Sequence, residues 1–124
     1  MATIAIFGVA AVMLGVKDVP AAAAFYSQKL GLRVLMQESQ IALLQCGPVM
    51  LGLNRGLAEK SAHTVGATEV VLRVDSVRAV HQALLAEGLV FESEPHRITP
   101  TDWVAHFRDI DGHLLSIFGP EGLP

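Results

Sequence analysis

The chain has 124 residues and a net charge of −3, and Lys and Arg are not clustered anywhere in it, which excludes nucleic acid and anionic membranes as expected partners. Hydrophobic residues make up 52% and charged residues 17%, which predicts a single folded domain, residues 1–124, with a real core. Cys46 is the only cysteine, so an internal disulfide is excluded and a cytoplasmic location is expected.

The chain begins with an uncharged apolar run at residues 4–16. Its 13 residues are too few for a helix that spans a bilayer, and no Lys or Arg precedes them as in a secretory signal. We therefore expect part of this run to form a strand and no membrane to be a partner.

The first half of the chain predicts a strand, a helix and three further strands. Asp18 can cap the helix N-terminus through its carboxylate. Gly31 follows it by 13 positions and can take the left-handed conformation that ends a helix. The face expected to be buried contains Ala22, Phe25, Tyr26 and Leu30. The expected strands are 12–16, 32–37, 41–46 and 49–54.

The second half repeats this plan. Asp75 is expected to cap a second helix, and Gly88 again follows the aspartate by 13 positions. Val77, Val80 and Leu84 form the apolar face of that helix. The expected strands are 70–74, 89–94, 103–108 and 114–118, and 54–67 and 93–102 are expected to be irregular loops. The two modules are thus predicted at about 4–56 and 67–120.

Strand alternation assigns side chains to the two faces of the second sheet. Val70, Leu72 and Val74 form an apolar set that is expected to lie under the helix, whereas Glu69, Val71 and Arg73 are expected to line an open cleft. By the same rule the cleft face of the 103–108 strand holds Val104, His106 and Arg108, with Trp103, Ala105 and Phe107 inward; a bulge would reverse that assignment.

The duplicated plan, the segment "KDVPAAAAFYSQKLGL" at 17–32 and the segment "FRDIDGHLLSIF" at 107–118 resemble the vicinal oxygen chelate superfamily. That superfamily includes glyoxalases, extradiol dioxygenases and bleomycin-binding resistance proteins. The resemblance implies an α+β fold in which two βαβββ modules form a curved mixed β-sheet with helices on its outer face. It also implies a homodimer.

Enzymes of this superfamily hold a divalent metal with one side chain from each of four strands. Carried over by resemblance, these positions are Ala11, Gly52, Glu69 and Ser116. Alanine and glycine have no side-chain donor, and a neutral hydroxyl is a poor ligand beside a carboxylate or imidazole. No metal and no other cofactor is therefore expected.

Three functional hypotheses remain open. The first is a metal-free protein that binds an amphipathic small molecule or antibiotic in the cleft. The second is a metal-dependent lyase, isomerase or dioxygenase whose ligands lie elsewhere. The third is a metal-free enzyme in which Glu69 and His106 act as acid and base. Cys46 has no identifiable base nearby and is expected to pack. The expected ligand-binding residues are Met13, Met50, Gly52, Glu69, Val71, Arg73, His106, Leu114, Ser116 and Phe118.

Overall fold

The computed structural model describes residues 9–60 and 68–124, so the first apolar residues, 4–8, and His63 in the predicted loop lie outside the described residues. The chain divides into two compact units, Met1–Ser61 and Ala62–Pro124. Each unit contains one βαβββ module, as the repeat predicts.

The elements of the first unit are β1 (Ala11–Gly15), α1 (Val19–Ala24), β2 (Arg33–Gln37), β3 (Ile41–Cys46), β4 (Val49–Asn54) and α2 (Arg55–Lys60). Strand β1 is parallel to β4, whereas β4 with β3 and β3 with β2 are antiparallel. The sheet order is β1-β4-β3-β2. Helix α1 continues directly into one π-helical turn, Phe25–Lys29.

The second unit has the same connectivity. Its elements are β5 (Glu69–Arg73), α3 (Val77–Ala86), β6 (His96–Arg97), β7 (Trp103–Arg108) and β8 (Leu114–Gly119). The sheet order is β5-β8-β7-β6, with β5 parallel to β8 and the other pairs antiparallel. Two mixed four-stranded sheets with few helices confirm the predicted fold class.

Helices α1 and α3 have different N-cap residues. Asp18 accepts a hydrogen bond from the backbone N–H of Ala21 at 3.0 Å, as predicted. The predicted cap at Asp75 is wrong, because Ser76 is the capping residue and accepts from the N–H of Ala79 at 3.1 Å. Ser76 has the extended backbone that an N-cap requires and stands immediately before the first helical residue.

The π-helical turn explains why the distance along the chain from the N-cap to the C′ glycine differs by one residue between the two modules. Gly31 and Gly88 end them with φ of +75° and +90°, as expected for left-handed C′ glycines. Gly31 lies 13 positions after its cap, Asp18, but Gly88 lies 12 positions after Ser76. A π-helical turn adds one residue to a helix without changing where the helix ends. The equal spacing from each aspartate to its glycine therefore concealed that the second helix is capped one residue later, at Ser76.

Two expected connections and one expected strand differ from the structure. Residues 89–94 do not form a strand, since Phe91 makes only an isolated bridge to Phe107. The edge strand is instead His96–Arg97, within a segment expected to be irregular. Pro95, which has no N–H for a ladder, separates the two stretches. The other predicted loop begins with α2, the helix at Arg55–Lys60.

Each module buries the apolar side of its sheet. In the first unit, Tyr26 of the helical segment is fully buried, as are Leu44 and Leu53 of the sheet. In the second, α3 contacts β7 and β8, where Phe107 and Leu115 are fully buried. Phe25, Leu30 and Val80, also predicted to face inward, are only partly buried. None of the helices within 9–60 and 68–124 has the length and hydropathy needed to cross a bilayer.

Candidate functional site

Most of the predicted site residues lie on one face of the second sheet. Val71 is opposite Ser116 in the β5–β8 ladder, and Ser116 is opposite His106 in the β7–β8 ladder. Directly paired residues project from the same side of a sheet, so the predicted alternation of β5 and β7 is confirmed. We call this side the second-sheet face, and its members are Glu69, Val71, Arg73, Val104, His106, Arg108, Leu114, Ser116 and Phe118.

Glu69 and His106 meet across the strand that separates them. Oε2 of Glu69 is 2.9 Å from Nδ1 of His106. The oxygen nevertheless lies off the axis of a ring N–H, and Nδ1 makes no aligned hydrogen bond among the described residues. The contact is therefore a close approach of a carboxylate and an imidazole whose strength depends on the proton carried by His106.

Ser116 lies below this contact. Strand β8 stands between β5 and β7, so side chains that join Glu69 to His106 must pass over β8 near Ser116. The serine side chain is fully buried, and its Oγ has no hydrogen-bond partner among the described residues. Serine is small enough to leave room for the two side chains above it. A carboxylate at this position would place a second acid beside Glu69.

The other end of β5 carries a cation. The Arg73 guanidinium carbon lies 5.7 Å from the centre of the Phe118 ring, a cation–π contact along the paired positions of β5 and β8. Val71 lies between Glu69 and Arg73 and is 54% exposed. The second-sheet face thus presents a carboxylate, an exposed apolar side chain and a guanidinium cation along strand β5.

His96 is a neighbour of the face that the sequence did not identify. Its ring centre is 6.0 Å from that of His106. His96 pairs with Val104 in the β6–β7 ladder, which places it on the same side of the sheet. A strand of two residues has no alternation to read, so no sequence signal indicated this position. Val104 itself is on the predicted side but is buried.

The remaining predicted site residues lie on the first sheet. Ala11 pairs with Met50, and Met13 pairs with Gly52, so all four share one side of it. A Cβ built on Gly52 would overlap the sulfur and terminal methyl of Met13. The space above Gly52 is therefore filled by the Met13 thioether, which is itself 38% exposed.

Cys46 ends strand β3 and is partly buried. Desolvation by burial raises the pKa of its thiol, so the nucleophilic thiolate is disfavoured at neutral pH. This environment favours packing over nucleophilic catalysis.

The family is identified by comparison with family models. The Glyoxalase/Bleomycin resistance protein/Dioxygenase superfamily model matches residues 8–117 of the chain. The chain belongs to this superfamily. The resemblance seen in the 17–32 and 107–118 segments is thereby confirmed. Comparison with curated proteins finds no match to the chain.

Solved structures of the superfamily share the fold at low identity. A lactoylglutathione lyase from Agrobacterium tumefaciens is 22% identical, with a TM-score of 0.77 over 90% of this chain and 92% of that chain. An antibiotic binding protein from Streptomyces sp. CB03234 is also 22% identical, with a TM-score of 0.79 over 95% of this chain and 99% of that chain. A glyoxalase-related enzyme from Fulvimarina pelagi is 23% identical, with a TM-score of 0.76 over 91% and 88% of the two chains.

The residues that the resemblance assigns to the superfamily's metal positions do not fit a divalent metal. Ala11 and Gly52 supply no donor atom, and the Met13 side chain takes the space in which a ligand at position 52 would stand. Glu69 is the only carboxylate of the four, and Oε2 lies against His106. Within the described parts of the chain, no three His, Cys, Asp or Glu side chains are grouped as a metal site requires.

Proposed function

We propose that the protein is a metal-free small-molecule-binding protein of the glyoxalase/bleomycin resistance type and that the second-sheet face contacts the ligand. The observation that carries the proposal is the composition of that face. An exposed valine lies between a carboxylate and a guanidinium cation, and the described residues group no set of metal ligands with them. Exposed apolar surface flanked by a few oriented polar groups suits an amphipathic ligand.

The comparisons support binding as much as catalysis. One of the similar structures is an antibiotic binding protein and another is a lactoylglutathione lyase, so the fold serves both activities. The donor set described above favours the first. We also propose Met13 and Met50 of the first sheet as ligand-binding residues, because thioethers adapt to irregular shapes. The protein is further proposed to be a cytoplasmic homodimer.

Two measurements test the proposal. Elemental analysis of the purified protein is expected to find no stoichiometric transition metal. In a thermal-shift screen of aromatic antibiotics and metabolites, a ligand is expected to raise the melting temperature by mass action, since the unfolded chain has no site. One metal per chain that is lost in Glu69→Ala would contradict the proposal, as would a screen without a hit.

A matched pair of variants locates the binding. Val71→Lys places a charge on the second-sheet face, whereas Val90→Lys makes the same change at a side chain outside that face that is 84% exposed. The shift produced by a hit is expected to disappear in the first variant and to persist in the second. Equal shifts in both variants would place the ligand elsewhere.

A second candidate function rests on the 2.9 Å approach of Glu69 to His106. A carboxylate beside an imidazole is an arrangement used for general acid–base catalysis without a metal. We propose deuterium uptake at the α-carbon of hydroxyacetone, with chelator-treated protein, as its test. Uptake above the buffer rate that is lost in both Glu69→Gln and His106→Gln would support catalysis. Uptake equal to the buffer rate would remove this candidate.

A further inference from the structure

We infer that the second-sheet face is specific for an elongated zwitterion, whose cationic group lies at the Glu69 end and whose anionic group lies at the Arg73 end. This inference rests on the proposed binding function and names the class of ligand. It follows from the spacing, the exposure and the remaining partners of the charged groups.

The spacing of the two charges sets the length of the ligand. Glu69 and Arg73 are four residues apart on the same side of β5, which separates their backbones by about 13 Å at the usual rise of a strand. Both side chains lean toward β8, since Glu69 reaches His106 and Arg73 lies over Phe118. The opposite charges therefore lie at the two ends of one strip of the second-sheet face, too far apart to form an ion pair with each other.

The surface between the charges is apolar. Val71 is exposed midway between the charges, and the residue beside it on β8, Ser116, is buried. Leu114 and Phe118 on β8 extend the apolar surface toward the two charged ends. Covering these side chains with an apolar spacer removes hydrocarbon surface from water. A ligand with a polar middle would instead lose hydration without replacement.

Both charges are available to a ligand. The Glu69 side chain is 34% exposed, and its contact to His106 involves Oε2. The Arg73 guanidinium rests on an aromatic ring, and none of the described residues places a carboxylate within ion-pair distance of it. Stacking orients a guanidinium without using its N–H donors, which remain free to bind a carboxylate in a bidentate manner.

The buried hydroxyl of Ser116 is an independent sign that the Glu69 end is incomplete. Its Oγ is fully buried and unpartnered among the described residues, directly beside Val71 in the ladder and below the Glu69–His106 contact. A buried polar group without a partner is costly. An ammonium group bound at Glu69 can donate a hydrogen bond to Oγ of Ser116 when His106 moves aside.

The test uses a rigid probe, the para,para′ isomer of (aminomethyl)biphenylcarboxylate, whose ammonium and carboxylate are held apart by two rings. Its comparators are biphenylmethylamine, biphenylcarboxylate and the single-ring aminomethylbenzoate. Calorimetric titration of the full chain is expected to show the long zwitterion binding about tenfold or more tightly than each comparator. Amide NMR shifts are expected to be concentrated in β5, β7 and β8.

Charge-neutral variants assign the ends. Glu69→Gln is expected to reduce the affinity for the zwitterion and the amine but not for biphenylcarboxylate. Arg73→Gln is expected to reduce the affinity for the zwitterion and biphenylcarboxylate but not for the amine. Glu87→Gln, at the end of α3, and Arg97→Gln, on the other side of the sheet, are the matched controls and are expected to change neither.

Two results would overturn the inference in distinguishable ways. If the singly charged compounds bind the second-sheet face as tightly as the zwitterion, the ligand class is wrong while the proposed binding function stands. If none of the four probes shifts the amides of this face and the antibiotic screen also gives no hit, the inference and the proposed function both fail.

Discussion

Ser116 occupies the position at which metal-dependent members of the superfamily are expected to carry a ligand, and its surroundings explain why a small residue is accommodated there. Glu69 and His106 approach to 2.9 Å across the strand that carries it. The serine hydroxyl gains no hydrogen bond among the described residues from this position. In the ligand-free protein, its small size rather than a hydrogen bond of its hydroxyl accounts for its presence.

The hydroxyl of Ser116 can accordingly be removed without loss of stability in the ligand-free protein. Ser116→Ala is expected to leave the free energy of unfolding unchanged or to raise it by about 1 kcal/mol, because it deletes a buried unsatisfied group and retains the small volume. Urea denaturation of the ligand-free protein measures the difference. A loss of more than about 1 kcal/mol would show that the hydroxyl has a partner.

The stability cost of adding a side chain at Gly52 depends on Met13. Gly52→Ala is expected to lower the free energy of unfolding by about 1 kcal/mol, since the new methyl displaces the Met13 thioether. In a Met13→Ala background the same change is expected to cost much less. A double-mutant cycle measures this coupling, and additive losses would mean that the two side chains do not compete for the space.

At the scale of elements, the two helices of the repeat are capped by different chemistry. Asp18 satisfies one backbone N–H, that of Ala21. Ser76 does more, because its hydroxyl accepts from Ala79 and also lies within donating distance of the carbonyls of Glu121 and Leu123. The cap of α3 therefore also attaches the C-terminal segment to the second unit.

Alanine substitutions rank these caps. Asp18→Ala is expected to cost about 1 kcal/mol of unfolding free energy, and Ser76→Ala somewhat more, because it also releases the C-terminal carbonyls. Asp75→Ala is the control and is expected to change stability by less than about 0.5 kcal/mol, as at an ordinary surface position. Thermal and urea unfolding decide the order. A larger loss at Asp75 than at Ser76 would contradict the assignment of the cap.

At the scale of the whole molecule, exposed apolar side chains on an edge strand favour self-association. Strand β2 is an edge of the first sheet, and its Val34 and Leu35 are both exposed. Unpaired strand edges with apolar side chains are normally covered by a partner or protected by charge. Arg33 is the only charged residue of β2, which leaves the remainder of this edge suited to a second copy of the chain.

Sedimentation equilibrium at micromolar concentration is accordingly expected to give the mass of two chains. Leu35→Lys is expected to shift the equilibrium toward monomer, because a charge on the edge opposes strand pairing. Val90→Lys, at a position in a loop outside the strands, is the control. A single-chain mass for the unmodified protein would contradict the homodimer.

The order of elements was predictable because it depends on local patterns. The strands 41–46, 49–54 and 103–108 coincide with those in the structure, since alternation within a strand needs no knowledge of its neighbours. Gly31 and Gly88 were recognisable for the same reason, because a left-handed C′ residue is selected by its own backbone.

Other features depended on contacts that a linear pattern does not contain. The cap at Ser76 was missed because the π-helical turn adds a residue to the helix of the first module only. That residue makes the spacing from Asp18 to Gly31 equal to the spacing from Asp75 to Gly88, although Asp75 is not a cap. His96 was missed because its two-residue strand exists only through pairing with β7. Alternation placed Glu69 and His106 on the same side, but their approach across β8 follows from the strand order.

The sequence by itself thus determined the duplicated βαβββ plan and the superfamily, because residue type and spacing are properties of the chain. Only the tertiary structure decided that Met13 fills the space above Gly52, that Phe118 holds Arg73 and that Glu69 meets His106 above Ser116. These contacts join strands that are distant along the chain, and which strands become neighbours is settled when the sheet buries its apolar side.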